Sequence, residues 1–159
     1  MENTKTYFHK KQSVGDAAVS GLFNGLLGGL GMALVIVLFS FFAGQGAAYL
    51  SYFSSETLAP PLQGLVMHLA MSGIYGMLYG LIYRLVRIGR FQHLSGWLMG
   101  LGYALLLWAF AVSILLPADR SLILTLPWVV FFCGHLAYGL VLGARYQPEI
   151  VSLWLKKDR

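Results

Sequence analysis

The sequence predicts an all-α polytopic membrane protein, four transmembrane helices in a glycine-packed bundle. Three observations carry that expectation. Of 159 residues, 58% are hydrophobic and only 11% are charged, against about 25% charged in soluble domains. Apolar runs long enough to cross a ~30 Å hydrocarbon core recur four times along the chain. The 19 glycines fall largely inside those runs, many at four-residue spacing, which suits close helix packing.

The chain divides into a cytoplasmic N-terminal tail (1–16), a transmembrane domain (17–144) and a cytoplasmic amphipathic tail (145–159). The tail over 1–16 is polar and basic and is not expected to be a signal peptide. Asp16 can cap the first span, expected over Ala17–Phe42, with Gly21, Gly25 and Gly29 early and Phe39, Phe41 and Phe42 late. Residues 43–61 connect, with Tyr49, Tyr52 and Phe53 suited to the interface. Pro60 and Pro61 suit the start of the second span, Leu62–Tyr83. Arg84, Arg87, Arg90 and His93 then form a basic loop. Ser95 is a plausible cap for the third span, which runs to Leu116 with Gly96, Gly100 and Ala104 early and Trp108 and Phe110 late. Pro117 to Arg120 turn the chain. The fourth span covers Leu122–Ala144, interrupted at Pro127, and ends with Gly139 and Gly143. Beyond Pro148, the helical spacing of Ile150, Leu153 and Trp154 before Lys156 and Lys157 reads as a short helix on the membrane surface.

Ten of the 11 Lys and Arg fall on one side of this arrangement, with only Arg120 opposite. The positive-inside rule therefore expects a multi-pass protein of the inner membrane with both termini cytoplasmic. The net charge of +5 reports topology rather than nucleic-acid binding. This topology puts all four sets of small residues in the cytoplasmic half and the large aromatics in the outer half. Ser20-Gly21-x-x-x-Gly25-Leu26 matches Ser95-Gly96-x-x-x-Gly100-Leu101, and His68-Leu69-Ala70 matches His135-Leu136-Ala137. A two-hairpin repeat is one reading of these matches; residue types common in membranes are the other.

The second span carries His68, Ser72, Gly76 and Gly80 on one stripe, and the fourth carries His135, Gly139 and Gly143. An ionisable residue inside a membrane marks a candidate site. Three readings fit His68 and His135: hydrogen bonds to a Ser, Tyr or carbonyl across helices, ligation of a haem b or (bacterio)chlorophyll by one of them, or one haem shared by both. Counted from Arg84 and Arg145 the histidines differ in depth by six residues, about 9 Å, too far for one haem; counted from Pro61 and Pro127 they nearly match. Tyr75, Tyr79, Tyr83 and Tyr138 are expected to place their hydroxyls on partners in the bundle or at the interface. Arg84, Arg87 and Arg90 serve as topogenic charge or as a grip for lipid head groups or a partner, and Trp154 adds a docking side chain. The single Cys133 excludes an intramolecular disulfide and is expected to be a small core residue. No zinc pattern, phosphate loop, nucleophile elbow or pair of carboxylates is found, and the spans hold no Asp, Glu, Lys or Arg for a transport pathway.

His68-x-x-x-Ser72-x-x-x-Gly76 and His135-Leu136-Ala137-Tyr138-Gly139-x-x-x-Gly143 give the chain a resemblance to small bacterial four-span membrane proteins of unknown function. That resemblance implies the fold and no activity. The expected role is a non-catalytic accessory subunit of an energy-converting membrane complex, respiratory or photosynthetic, contacting other membrane subunits and lipid but no nucleic acid. The alternative is a haem b or (bacterio)chlorophyll-binding electron-transfer or pigment protein using His68, His135 or both. For topology, cysteines placed at Glu56 and Arg90 in a Cys133→Ser background should label from opposite sides of the membrane; labelling from one side would end the four-span arrangement.

Overall fold

The computed structural model describes residues 13–44, 60–88, 95–115 and 127–146. Those residues form four helices: α1 (Val14–Phe42), α2 (Pro60–Ile88), α3 (Gly96–Phe110) and α4 (Trp128–Arg145). All four are long and apolar enough to cross a membrane, α3 by continuing through a π-helical turn over Ala111–Leu115. Among the described residues there is no strand. α1 packs on both α2 and α4, and α3 packs on α4.

Some helix ends differ from the sequence expectation and others keep it. α1 begins at Val14, and its N-cap is Ser13 rather than Asp16. Ser13 Oγ accepts from the Asp16 backbone N–H at 3.0 Å, and the Asp16 carboxylate accepts from the Ser13 N–H at 3.1 Å. This reciprocal pair satisfies two backbone donors at once, so it outcompetes a cap by Asp16 alone. α2 runs on to Ile88, so Arg84 and Arg87 lie on the helix and not in a loop. Arg is a good helix former, and cations are favourable near a helix C-terminus. Ser95 holds the cap position of α3 without a side-chain bond; its carbonyl accepts from Met99 N–H at 3.1 Å. α4 begins at Trp128 with Pro127 at its cap, where the sequence places an interruption, and residues 121–126 lie outside the described residues. Arg145 belongs to this helix rather than to the tail. Arg90, Trp154, the 43–59 connection apart from Ala43 and Gly44, and the expected surface helix lie outside the described residues.

Packing at one end of the bundle is set by small residues. A Cβ added at Gly25 would come within 2.7 Å of Gly76 Cα and would strike the Ser72 carbonyl oxygen. Gly21 stands in the same way against Gly76 and Gly80, and Gly29 against Ser72. In the second hairpin, a Cβ at Gly100 would lie 2.8 Å from Gly143 Cα and would strike the Gly139 carbonyl oxygen. Gly96 meets Gly143 and Tyr146. Two backbones can run this close only where neither carries a side chain. The two seams share a register: Ser72 and Gly139 occupy corresponding places against Gly25 and Gly100, as do Gly76 and Gly143. On that register His135 corresponds to His68, so the histidine match in sequence coincides with the match in packing.

Toward the other end the contacts are made by larger side chains. Met32, Ile36, Ala111, Val130 and Phe131 are buried there, and Trp108 meets Phe132 edge-on at 5.2 Å between ring centroids. Phe39, Phe41, Phe42, Phe110 and Trp128 are exposed. Cys133 is also exposed, not in the core as expected. On α4 it lies between the buried turns at Val130 and Gly134 and falls on the outward side.

Replacing Gly76 or Gly100 by Leu should cut folded yield in detergent severely, by more than the ~1–3 kcal/mol of ordinary overpacking, because backbone atoms rather than side-chain tips obstruct the new group. Phe41→Leu, on an exposed position, should leave the yield near wild type; equal losses for all three would refute the close-packed seams.

Candidate functional site: the polar interior between the helices

His68 is buried on α2, one turn before Ser72. Its Nε2 lies 3.0 Å from the Gly29 carbonyl oxygen of α1. A carbonyl can only accept, so Nε2 carries the proton and the imidazole donates across the α1/α2 seam. Ser72 Oγ donates to the His68 carbonyl at 2.8 Å. Buried His135 differs from the cross-helix expectation: its Nδ1 lies 2.8 Å from the carbonyl of Phe131, one turn back on its own helix. By the same argument Nδ1–H is the donor there, and Nε2 keeps its lone pair. The Phe131 ring covers one flank of the imidazole, 4.5 Å away at 70°.

The depth conflict in the sequence is resolved by α1. His68 meets Gly29, whereas on α4 Tyr138 stands against Gly28 and Gly134 against Met32. The two histidines therefore lie within about one helical turn, ~5 Å, of each other along the bundle. The arginine count overestimated the offset because α2 carries Arg84 and Arg87 as part of its helix, so Arg84 does not mark where the chain leaves the membrane. Similar depth meets one requirement for a shared haem. The ring nitrogens fit it unequally: His135 presents Nε2, whereas His68 has Nε2 on the Gly29 carbonyl.

Four tyrosines follow the same pattern as His68. Tyr138 Oη donates to the Ser72 carbonyl at 2.7 Å, Tyr103 to the Tyr75 carbonyl at 2.7 Å, Tyr83 to the Tyr146 carbonyl at 2.5 Å and Tyr79 to the Gly96 carbonyl at 3.4 Å. Each bond joins two helices or a helix and the turn that ends another. The rings of Tyr79, Tyr83 and Tyr103 form one cluster with Tyr146: Tyr79 lies 5.2 Å from Tyr103 and 5.3 Å from Tyr146, and Tyr83 lies 4.6 Å from Tyr146. Arg87 stands 5.6 Å over the Tyr83 ring, a cation–π contact that helps keep this arginine at the helix end. The Tyr146 hydroxyl is buried without a hydrogen-bond partner. Two participants were missed in the sequence. Asn24, uncharged, is buried on α1, and Tyr103 supplies a second bond, beside that of Tyr79, between α3 and α2. Helical spacing alone could have flagged Asn24, one residue before Gly25 in the first small-residue stripe.

These observations define an all-α, multi-pass membrane protein whose buried polar side chains are directed largely at backbone carbonyls. Comparison of the chain with known protein families, with curated proteins and with solved structures found no match.

His68→Leu and Tyr138→Phe each remove one interhelical hydrogen bond and should each lower stability by about 0.5–1.5 kcal/mol in a denaturing-detergent titration. A loss below the error of that titration for both would show that these bonds do not hold the helices.

Proposed function

We propose that the chain is a non-catalytic structural subunit of a larger membrane assembly, of the energy-converting (respiratory or photosynthetic) kind. The observation that carries this is the use made of its interior polar groups. His68, Tyr83, Tyr103 and Tyr138 each hold a carbonyl of another segment, so the chemistry available in the bundle is committed to its own cohesion. The outward faces supply the contact surface. α3 exposes Trp97, Leu98, Leu105, Leu106 and Phe110. Apolar exposure to lipid needs no cover, so the basic end matters more. Arg84 and Arg87 close α2, and Arg can pair a carboxylate with both arms of its fork. Placement in the inner membrane with cytoplasmic termini rests on the distribution of Lys and Arg.

A second reading rests on His135. An imidazole that donates Nδ1–H to a carbonyl is oriented and made more basic at Nε2, the arrangement usual for a metal ligand. On this reading His135 would hold a haem b or chlorophyll through Nε2, and His68 remains structural.

Extraction in mild detergent should give a particle much larger than 17.5 kDa with co-purifying membrane subunits, and Arg84→Gln with Arg87→Gln should loosen it while helicity is kept. A monodisperse monomer without other subunits would defeat the accessory-subunit proposal. An absorption spectrum of the same preparation decides the second reading: a Soret band with an α band on reduction, or a chlorophyll band, lost in His135→Leu and kept in His68→Leu, supports it.

A further inference from the structure

Arg145 ends α4 and is exposed, yet its guanidinium is anchored. Nε donates to Asn24 Oδ1 of α1 at 3.3 Å. Asn24 is only 7% exposed, and its Nδ2 donates to Ser20 Oγ at 3.4 Å. The amide is thereby held at both ends, its oxygen toward the arginine and its nitrogen back along α1. A guanidinium is planar and rigid, so holding it through Nε fixes its plane and leaves the Nη donors for a further partner. Ser20, one turn nearer the start of α1, accepts from Asn24 and keeps its own O–H to donate.

The location decides what such a fork meets. α4 has 18 residues, about 27 Å at helical rise and close to the ~30 Å hydrocarbon core, so its last residue lies at head-group level. α1 continues past that level to Val14 and walls one side. Toward the bilayer middle the groove between α1 and α4 is shallow. Gly31 contributes no side chain, and a Cβ there would meet only Val141, at 3.4 Å. Leu27 and Leu140 are exposed beside it. A cationic fork at the phosphate level above an apolar groove matches the two parts of a phospholipid.

We propose that Arg145, positioned by Asn24, binds the phosphate of an anionic phospholipid whose acyl chain lies in the α1/α4 groove. The Nη groups donate in bidentate fashion to two phosphate oxygens and the Ser20 hydroxyl can add a third donor. The charge of the lipid complements a helix end that carries a cation and no acidic neighbour on α4. Asn24 acts as a positioning residue: it fixes the direction of the fork and does not itself need to touch the lipid.

Native mass spectrometry of the detergent-solubilised full chain, loaded with phosphatidylglycerol or with phosphatidylcholine of the same acyl composition, tests this. Wild type should retain the anionic lipid preferentially. Arg145→Gln should lower that retention about fivefold, the factor expected for one basic residue at an anionic surface. Asn24→Ala should lower it in the same direction with every positive charge in place, whereas Arg120→Gln, which removes the same charge from the connection between α3 and α4, should leave the preference intact. Arg145→Lys, the milder change if Asn24→Ala fails to fold, keeps the charge but not the fork and should lose most of the preference. Millimolar inorganic phosphate should not displace the lipid. The proposal is overturned if Arg145→Gln retains as much anionic lipid as wild type, if Arg120→Gln falls equally far, or if free phosphate displaces the lipid.

Discussion

The close approach of backbone to backbone at Gly25–Gly76 and Gly100–Gly143 is the constraint on which the rest of the bundle depends. Lipid tails are as apolar as leucine, so burial of apolar surface does not drive these helices together. Van der Waals contact and hydrogen bonds must do so, and both strengthen steeply as the axes approach. The small residues set that distance. Once α1 lies against α2, the Gly29 carbonyl comes within reach of His68, and the Ser72 carbonyl is left facing the interior, where Tyr138 of α4 reaches it. A bulkier seam would separate these groups, and they would then be polar atoms without partners in a medium that supplies none.

The tyrosines solve a geometric difficulty created by the glycines. Small residues bring helix pairs together but leave space where the two pairs face each other. Tyr79, Tyr83, Tyr103, Tyr138 and Tyr146 fill it with large rings, and four of the five place a hydroxyl on a carbonyl beyond the ring. α3 touches α2 chiefly through this device, since its close contacts are with α4. The interior is thus polar at the tips of its side chains and apolar along their bodies, which is how a ring that must cross a gap in lipid can be accommodated.

Among the described residues charge is confined to the ends of helices, and two of the arginines are coupled to packing. Arg87 lies over Tyr83, and Arg145 is tied to Asn24. Both arginines therefore close the glycine-rich end of the bundle by contact as well as by their preference for water, and each reports the position of a neighbouring element: Arg87 the tyrosine cluster, Arg145 the flank of α1.

The sequence by itself determined that four helices cross a membrane, where their small-residue stripes lie and that the histidines and tyrosines sit within the spans. Those properties follow from hydropathy and from the 3.6-residue period, both local. It could not settle helix ends: Ser13 against Asp16, or the extension of α2 through Arg84 and Arg87, depends on competition between caps and propensities of similar size. Nor could it settle relative depth. His68 and His135 looked offset when measured from charged residues, and only their shared contacts along α1 showed them to be nearly level. The tertiary structure alone decided which carbonyl each imidazole and hydroxyl meets, that Cys133 faces outward, and that Asn24 holds Arg145. Those pairings join residues as far apart as Asn24 and Arg145, and no local period encodes the rotation of one helix about its axis relative to another.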